Sequence, residues 1–417
     1  MKNGFKALRL KLKAFSCRAI HDTKILSQWP EEPLDLPADQ NGGFYSATLG
    51  KKLNSTYTIV RKLGWGQHSS VWLAKHEGER EQQYVAVKIL TSHATQVQHQ
   101  LSNELGLLQA VRDLARESSN PGRTHVVTLL DSFEVSSTQG RHLCLVHEAM
   151  GIFPKISSLG FPVPLVKVVA KQLLLALDFL HRECHVVHTD LKPDNILVKL
   201  DNVKTAIEIR EEESRSVAPM HKVSSKPRHA ILSRPLRVLS SDELLDSIQL
   251  SKLDVKLTDF GTAVSVNGFH PDIIQPFALR APEVILGCEW GTSADIWNLG
   301  CLIFEFLTGH WLFVPRGGPT WTPEAYHLAH MPAMAGEEFD TTHFQTGKHL
   351  GKYFDDDGKL RIKVEEIQGL ENVLESYKVV GDDELSMCTS FLRSMLRLKP
   401  SDRASAADLM QHEWLKV

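Results

Sequence analysis

The sequence predicts an α+β chain of two lobes, a small β-rich half followed by a larger, mainly helical one. Three observations predict it. From Tyr57 onward, short β-branched and apolar runs are separated by turn formers, as strands are. After Gly151 the apolar residues recur instead at intervals of three and four, the period of helices. At 417 residues the chain has room for two cores, so a cleft between two lobes is expected.

Composition narrows the class without naming an activity. The 42% hydrophobic and 23% charged residues are those of an ordinary globular protein. A net charge of −3 gives no global attraction to nucleic acid or to an anionic membrane, so neither is expected as a partner. Cysteines 17, 144, 184, 288, 301 and 388 include no Cys-x-x-Cys pair, which argues against a disulfide framework or zinc-thiolate site and for a reducing compartment. No apolar run reaches the roughly 18 residues of a membrane span.

Element by element, residues 1–30 are basic, with Phe5, Leu8, Leu12, Phe15 and Ala19 on one helical face. Such a start reads either as a mitochondrial presequence or as a flexible basic tail. Glu31–Gly50, rich in Pro, Asp, Gly and Asn, reads as an extended linker, so 1–50 precede the folded domain. Tyr57–Val60 leads into a glycine-rich turn, then Val71–Ala74 and Val85–Leu90 are strands. A helix is expected over Val97–Leu114, strands over Val126–Leu130 and Leu143–Val146, and a helix over Pro164–His181. Residues 201–250 mix charges with Ser and Pro and read as an inserted spacer, poorly ordered in part. A short strand Val255–Leu257 is followed by helical segments that fill the rest of the chain, including Ser293–Leu307, Leu385–Leu396 and Ala404–His412.

Four motifs carry chemistry, in the order that transfer of a γ-phosphoryl group needs. Gly64-Trp65-Gly66-Gln67-His68-Ser69 sits between two strands, where glycines let backbone N–H groups approach phosphates closely. Alone it is a weak signal, and a plain hairpin turn explains it as well. Lys88 closes Val85-Ala86-Val87-Lys88, and the period of two puts Ala86 beside it on one strand face. A lysine there needs a counter-charge, and Glu104 on the next helix is the natural partner.

The third motif is the strongest, His188-Thr189-Asp190-Leu191-Lys192-Pro193-Asp194-Asn195. Asp190 is placed to accept the proton of an attacking hydroxyl, Lys192 to neutralise the transferred phosphoryl, and Asn195 to hold Mg²⁺. His181, His185 and His188 lack a further ligand at metal spacing, so packing explains them better. Fourth, Asp259-Phe260-Gly261 offers a second Mg²⁺ ligand. Glu283 of Ala281-Pro282-Glu283 is expected to pair with Arg403, and Asp295 to bond the loop backbone from below.

Over residues 57–417 the sequence resembles a eukaryotic serine/threonine protein kinase, and within it the SR-protein kinases (SRPK) of the CMGC group. The likeness rests on Lys62–Gly66 with Ser69–Ala74, Val126–Phe133, His188-Thr189-Asp190, Ala294–Trp297 and Lys352–Arg361. It implies the two-lobed protein kinase fold, with an N-lobe over about 57–147 and a C-lobe over about 151–417. It implies ATP and Mg²⁺ as cofactors. Leu63, Gly64, Trp65, Gly66, Gln67, His68, Ser69, Ser70, Val71, Ala86, Lys88 and Glu104 then serve ATP, with the adenine on the backbone of Glu148 and Met150.

Asp190 and Lys192 are the catalytic pair, and Asn195 and Asp259 the metal ligands, under the same resemblance. It also implies a protein substrate, a monomer, and a cytoplasmic or nuclear address, with mitochondrial targeting through residues 1–30 as the alternative. Thr189 stands where most kinases carry arginine. Without that cation a phosphate on the short segment 262–280 has no acceptor, which predicts an enzyme active as synthesised. His147 departs from the family pattern at the back of the adenine pocket, and the acid-poor Trp321–His327 departs from it where substrate docks, so Arg/Ser-rich substrates are an open choice. The acids Glu337, Glu338, Asp340 and Asp355–Asp357 either compensate or simply form solvated turns. A catalytically silent scaffold is the rival, disfavoured because Lys88, Glu104, Asp190, Asn195 and Asp259 are all present.

Overall fold

The computed structural model describes residues 30–77, 83–98, 103–207, 231–236, 247–365 and 367–416. The basic stretch 1–29 lies outside the described residues, as do 208–230 and 237–246 of the spacer. The described chain forms two compact units. One takes residues up to 98, 129–150, 201–207 and 231–236, and the other takes 103–128, 151–200 and 247–416.

The first unit is an antiparallel sheet of six strands. In chain order they are β1 (Lys52–Leu53), β2 (Tyr57–Gly66), β3 (Ser69–His76), β4 (Gln83–Leu90), β5 (Leu129–Ser137) and β6 (Gly140–Glu148). Their order in space is β1-β2-β3-β4-β6-β5. Alternation along β4 shows what holds it. Val85, Val87 and Ile89 enter a core with Ile59, Trp72, Ala74, Cys144 and Val146, while Ala86 and Lys88 stay half-exposed on the other face.

Three expectations shift here. The glycine-rich turn does not begin at Gly64, because β2 runs on through Gly66 and reverses at Gln67–His68. Two register shifts in the β2–β3 ladder, before Arg61 and before Gly64, absorb the irregular stretch. The strand expected over Val126–Leu130 lies instead at Leu129–Ser137, where alternate residues face solvent and dilute the apolar signal. Residues 31–50 form one short helix, Ala38–Asn41, within irregular chain, and are not a loose linker, since Glu31, Glu32, Phe44 and Tyr45 are buried. Tyr45 packs edge-on against His142 at 5.2 Å, and Phe44 against Trp65 at 6.0 Å. Their Pro, Gly and Asp neighbours limit regular structure to that single helical turn without preventing packing.

The second unit is mainly helical. Its longer helices are α1 (Glu104–Glu117), α2 (Val163–Asp178), α3 (Ser293–Thr308), α4 (Pro323–Ala335), α5 (Leu370–Tyr377) and α6 (Asp382–Met395). The helix expected from Val97 starts only at Glu104; a short helix Ser92–Gln96 precedes it, and 99–102 lie outside the described residues. On α2, Leu165, Val169, Leu173 and Leu177 are all 1% exposed or less, as their spacing requires. Helix α3 is apolar nearly all round and buried along its length. Beyond it, the helix expected over Ala404–His412 shrinks to Ala406–Leu409, closed at its start by reciprocal bonds between Ser405 and Asp408.

Short strands lie among these helices: β7 (Gly151–Ile152), β8 (Val186–Val187), β9 (Ile196–Val198), β10 (Val255–Leu257) and β11 (Val264–Ser265). Gln172 on α2 brackets the entry to β10, donating to Leu253 O and accepting from Val255 N, each at 2.7 Å. Glu283 and Arg403 form the expected pair, buried and bidentate at 2.6 and 2.7 Å.

Helix α4 buries His327 against the Phe313 ring at 4.7 Å, and neither ring nitrogen has a hydrogen-bond partner among the described residues. Burial, aided by the nearby Arg280 charge, lowers its pKa from 6.5 to about 3. Below pH 6.5 the unfolded chain therefore takes up a proton that the folded chain refuses, and stability falls with pH. Urea unfolding at pH 7 and pH 5 should show His327→Leu flattening this slope by on the order of 1 kcal/mol per pH unit. An unchanged slope would mean that His327 titrates normally in the folded chain.

Candidate active site

Two loops of the second unit meet because of how four short strands pair. The loop 188–195 links β8 to β9, and Asp259-Phe260-Gly261 lies between β10 and β11. β10 pairs with β9, Leu257 opposite Ile196, while β11 pairs with β8, Val264 opposite Val187. The two connections are thus held side by side at both ends. Thr258 N donates to Asn195 O at 2.9 Å, and the His188 ring bonds Thr258 O at 2.9 Å.

The floor of the first loop is Asp295, fully buried on α3. Its two oxygens accept the His188 and Thr189 N–H groups, each at 2.8 Å, and His181 bonds the first of them at 2.9 Å. Asn298, one turn along α3, donates to Leu191 O at 2.9 Å. The loop needs this support because Thr189 sits at φ +71, a left-handed conformation that non-glycine residues seldom adopt. Asp259 is similarly left-handed at φ +65. His181 and His188 are therefore structural.

Above this floor Asp190 is gripped from two sides. Lys192 Nζ donates to its Oδ2 at 2.6 Å, and Asn195 Nδ2 donates to its backbone O at 2.8 Å and its Oδ2 at 3.0 Å. Those bonds use the amide nitrogen of Asn195 and leave its carbonyl oxygen for a cation. The Asp259 carboxylate follows immediately on Thr258, which is tied to Asn195. One carboxylate and one amide oxygen suit Mg²⁺, which takes few protein ligands when phosphates supply others. Among the described residues no group of three His, Cys, Asp or Glu side chains could hold a metal alone.

In the first unit, the sheet register aligns the other candidates. Gly64, Val71, Lys88 and Leu145 lie opposite one another across β2, β3, β4 and β6, and Leu73, Ala86 and His147 form the next row. A Cβ on Gly64 or Gly66 would meet nothing within 4 Å, so the backbone there is open to a close phosphate. Leu63, Trp65 and Gln67 are half-exposed and His68 is exposed, its backbone O accepting from Thr91 N at 2.9 Å. Ser69 and Ser70 are buried, and Ser70 Oγ accepts the Trp72 indole N–H at 2.9 Å, which turns Ser70 into the core. Glu148 ends β6 and Met150 is buried just beyond. Glu104 is the buried first residue of α1 in the second unit.

Some acids are spent on local structure. Glu337 pairs with Arg397 and accepts Leu398 N at 2.5 Å, Asp340 caps Thr342, and Asp355 accepts the N–H groups of Asp357 and Lys359. Trp321 stacks with Tyr326 and Arg316 covers the Tyr326 ring, an aromatic and basic face. Sequence reasoning missed one contact at the loop itself. Thr189 Oγ1 donates to Thr262 O at 2.9 Å and lies 3.1 Å from Thr262 Oγ1, tying the loop to the segment after Gly261. The unusual Thr189 was the available signal.

The protein kinase domain family matches residues 57–209 and 244–415. A serine/threonine-protein kinase SRPK of Physarum polycephalum is 34% identical, over 90% of this chain and 89% of its own. Protein kinase dsk1 of Schizosaccharomyces pombe is 29% identical over 90% and 83%, and SRSF protein kinase 3 of Mus musculus 26% over 92% and 91%. A crystal structure of a kinase domain superposes with a TM-score of 0.61 at 25% identity, covering 89% of this chain and 98% of that one. The α+β reading therefore holds, and protein kinases as a family act on protein hydroxyls using ATP and Mg²⁺. The chain belongs to the protein kinase family and is a serine/threonine protein kinase of the SRPK-like branch.

Proposed function

We propose that this kinase phosphorylates serines in Arg/Ser-rich proteins, and that it does so without prior phosphorylation of its own segment 262–280. Bound ATP would supply the phosphoryl group, and its Mg²⁺ would neutralise phosphate charge. Asp190, oriented by Lys192 and Asn195, accepts the hydroxyl proton of the substrate. Asn195 and Asp259 would hold that metal. Gly64 and Gly66 offer backbone to the phosphates, and Ala86, Lys88, Glu104, Glu148 and Met150 keep the roles that the family resemblance gives them.

The observation that carries the second half of the proposal is the Thr189–Thr262 contact. A cation at that position would need a phosphate to satisfy it; a hydroxyl needs only the carbonyl it already has. The substrate class rests on the relatives, one of which is named an SRSF protein kinase. Recognition of arginine would fall to exposed acids such as Asp356 and Asp357.

Given Mg·ATP, the enzyme should label an Arg-Ser repeat peptide faster than its Lys-Ser counterpart. Asp190→Ala should lower kcat by about 10²–10⁴-fold. Equal rates on the two peptides would remove the Arg/Ser assignment and leave the kinase. Phosphatase-treated enzyme should keep its full rate, and Thr189→Val, which loses one neutral hydrogen bond, should lower kcat roughly fivefold. An enzyme inert until phosphorylated within 262–280 would contradict activity as synthesised.

A further inference from the structure

Lys62 is a wholly buried lysine on β2, two residues before Gly64. Its ammonium is bonded by Glu31 at 2.5 Å and by Glu32. A buried ammonium needs such partners, but among the described residues two carboxylates leave the group with one negative charge in excess. Ser233, near the end of the spacer, answers that excess. Its N–H donates to Glu31 Oε1 at 2.5 Å and its hydroxyl to Glu31 Oε2 at 2.8 Å.

The same spacer segment also closes an open sheet edge. β1 pairs with β2 only at Tyr57 and Thr58, which leaves the Lys62 carbonyl beyond its reach. Arg234 N donates to that carbonyl at 2.9 Å. Leu236 is 1% exposed and Ile231 packs on the core of the sheet. Residues 231–236 therefore clasp the strand that leads into the glycine loop, and one hydroxyl–carboxylate bond lies at the centre of the clasp.

We propose that Ser233 is a phosphorylation site, modified by a second copy of this kinase, and that the phosphate unclasps residues 231–236 from β2. Ser233-Arg234 is itself a serine–arginine pair, so the proposal rests on the Arg/Ser substrate reading above. Ser233 Oγ forms a bond to the γ-phosphorus of ATP, and the bond from that phosphorus to the β-bridging oxygen breaks. ADP leaves with the electron pair, and the hydroxyl proton passes to Asp190 of the modifying copy. Ser233 is half-buried between exposed Leu232 and Arg234, so the segment must open for transfer. Afterwards a group of charge about −2 cannot return beside Glu31, whose one cation among the described residues is already shared with Glu32.

The test uses the full chain with Asp190→Ala as substrate, because that variant cannot modify itself. Wild-type enzyme and Mg·ATP should place phosphate on its Ser233, read by peptide mass spectrometry. In parallel, Ser233→Glu should speed hydrogen exchange of the Arg234 amide, the clasp's donor to Lys62 O, roughly tenfold and raise KM for ATP with kcat retained, while Ser233→Ala stays near wild type. Labelling of an Arg-Ser peptide without Ser233 would overturn this proposal alone. Labelling of neither would fail the substrate reading and this proposal together. Unchanged exchange in Ser233→Glu would refute the clasp.

Discussion

Asp295 is the constraint on which the catalytic end of this molecule depends. A buried carboxylate is costly unless each lone pair finds a donor, and here the donors are the backbone N–H groups of His188 and Thr189 and the ring of His181. The exchange works in both directions. Asp295 is allowed inside the core because the loop satisfies it, and the loop holds Thr189 at φ +71 because Asp295 compensates the strain. Asp190 then emerges at a fixed place, where Lys192 and Asn195 fix its carboxylate as well.

Charge is arranged economically around that centre. The position where a phosphate-accepting cation would stand carries the neutral Thr189, whose bond to Thr262 needs no modification to form. In the sheet unit the opposite holds. Lys62 brings a charge into the core, and its two glutamates and Ser233 make a polar group in which each member leans on the others. Burial lowers the Lys62 pKa from its usual value, and the Glu31 hydrogen bond and charge offset only part of that fall.

Much of this was legible in the sequence, for identifiable reasons. Strand β10 and helix α3 emerge almost to the residue, because a short β-branched run and a long apolar period leave one interpretation. The Glu283–Arg403 pair and the Asp295 support were also readable, since their motifs fix residue type and order together. Helices α4 and α5 fall where helical chain was expected, but their bounds were not legible; Pro332 interrupts the pattern of one, and the other is only eight residues long. The packing of residues 31–50 was hidden because composition reports backbone regularity and says nothing about burial. No local pattern could join Glu31 to Ser233, 202 residues away.

The most direct measurement is steady-state kinetics of Asp295→Asn, with folding verified by circular dichroism. The amide keeps one acceptor oxygen but sets an N–H₂ group against a backbone N–H, losing a charge-assisted bond of about 1.5–3 kcal/mol. If Asp295 holds the base in place, kcat should fall on the order of 10- to 100-fold while KM for ATP stays near wild type. A folded variant with undiminished kcat would contradict the claim that this carboxylate sets the geometry of the catalytic loop.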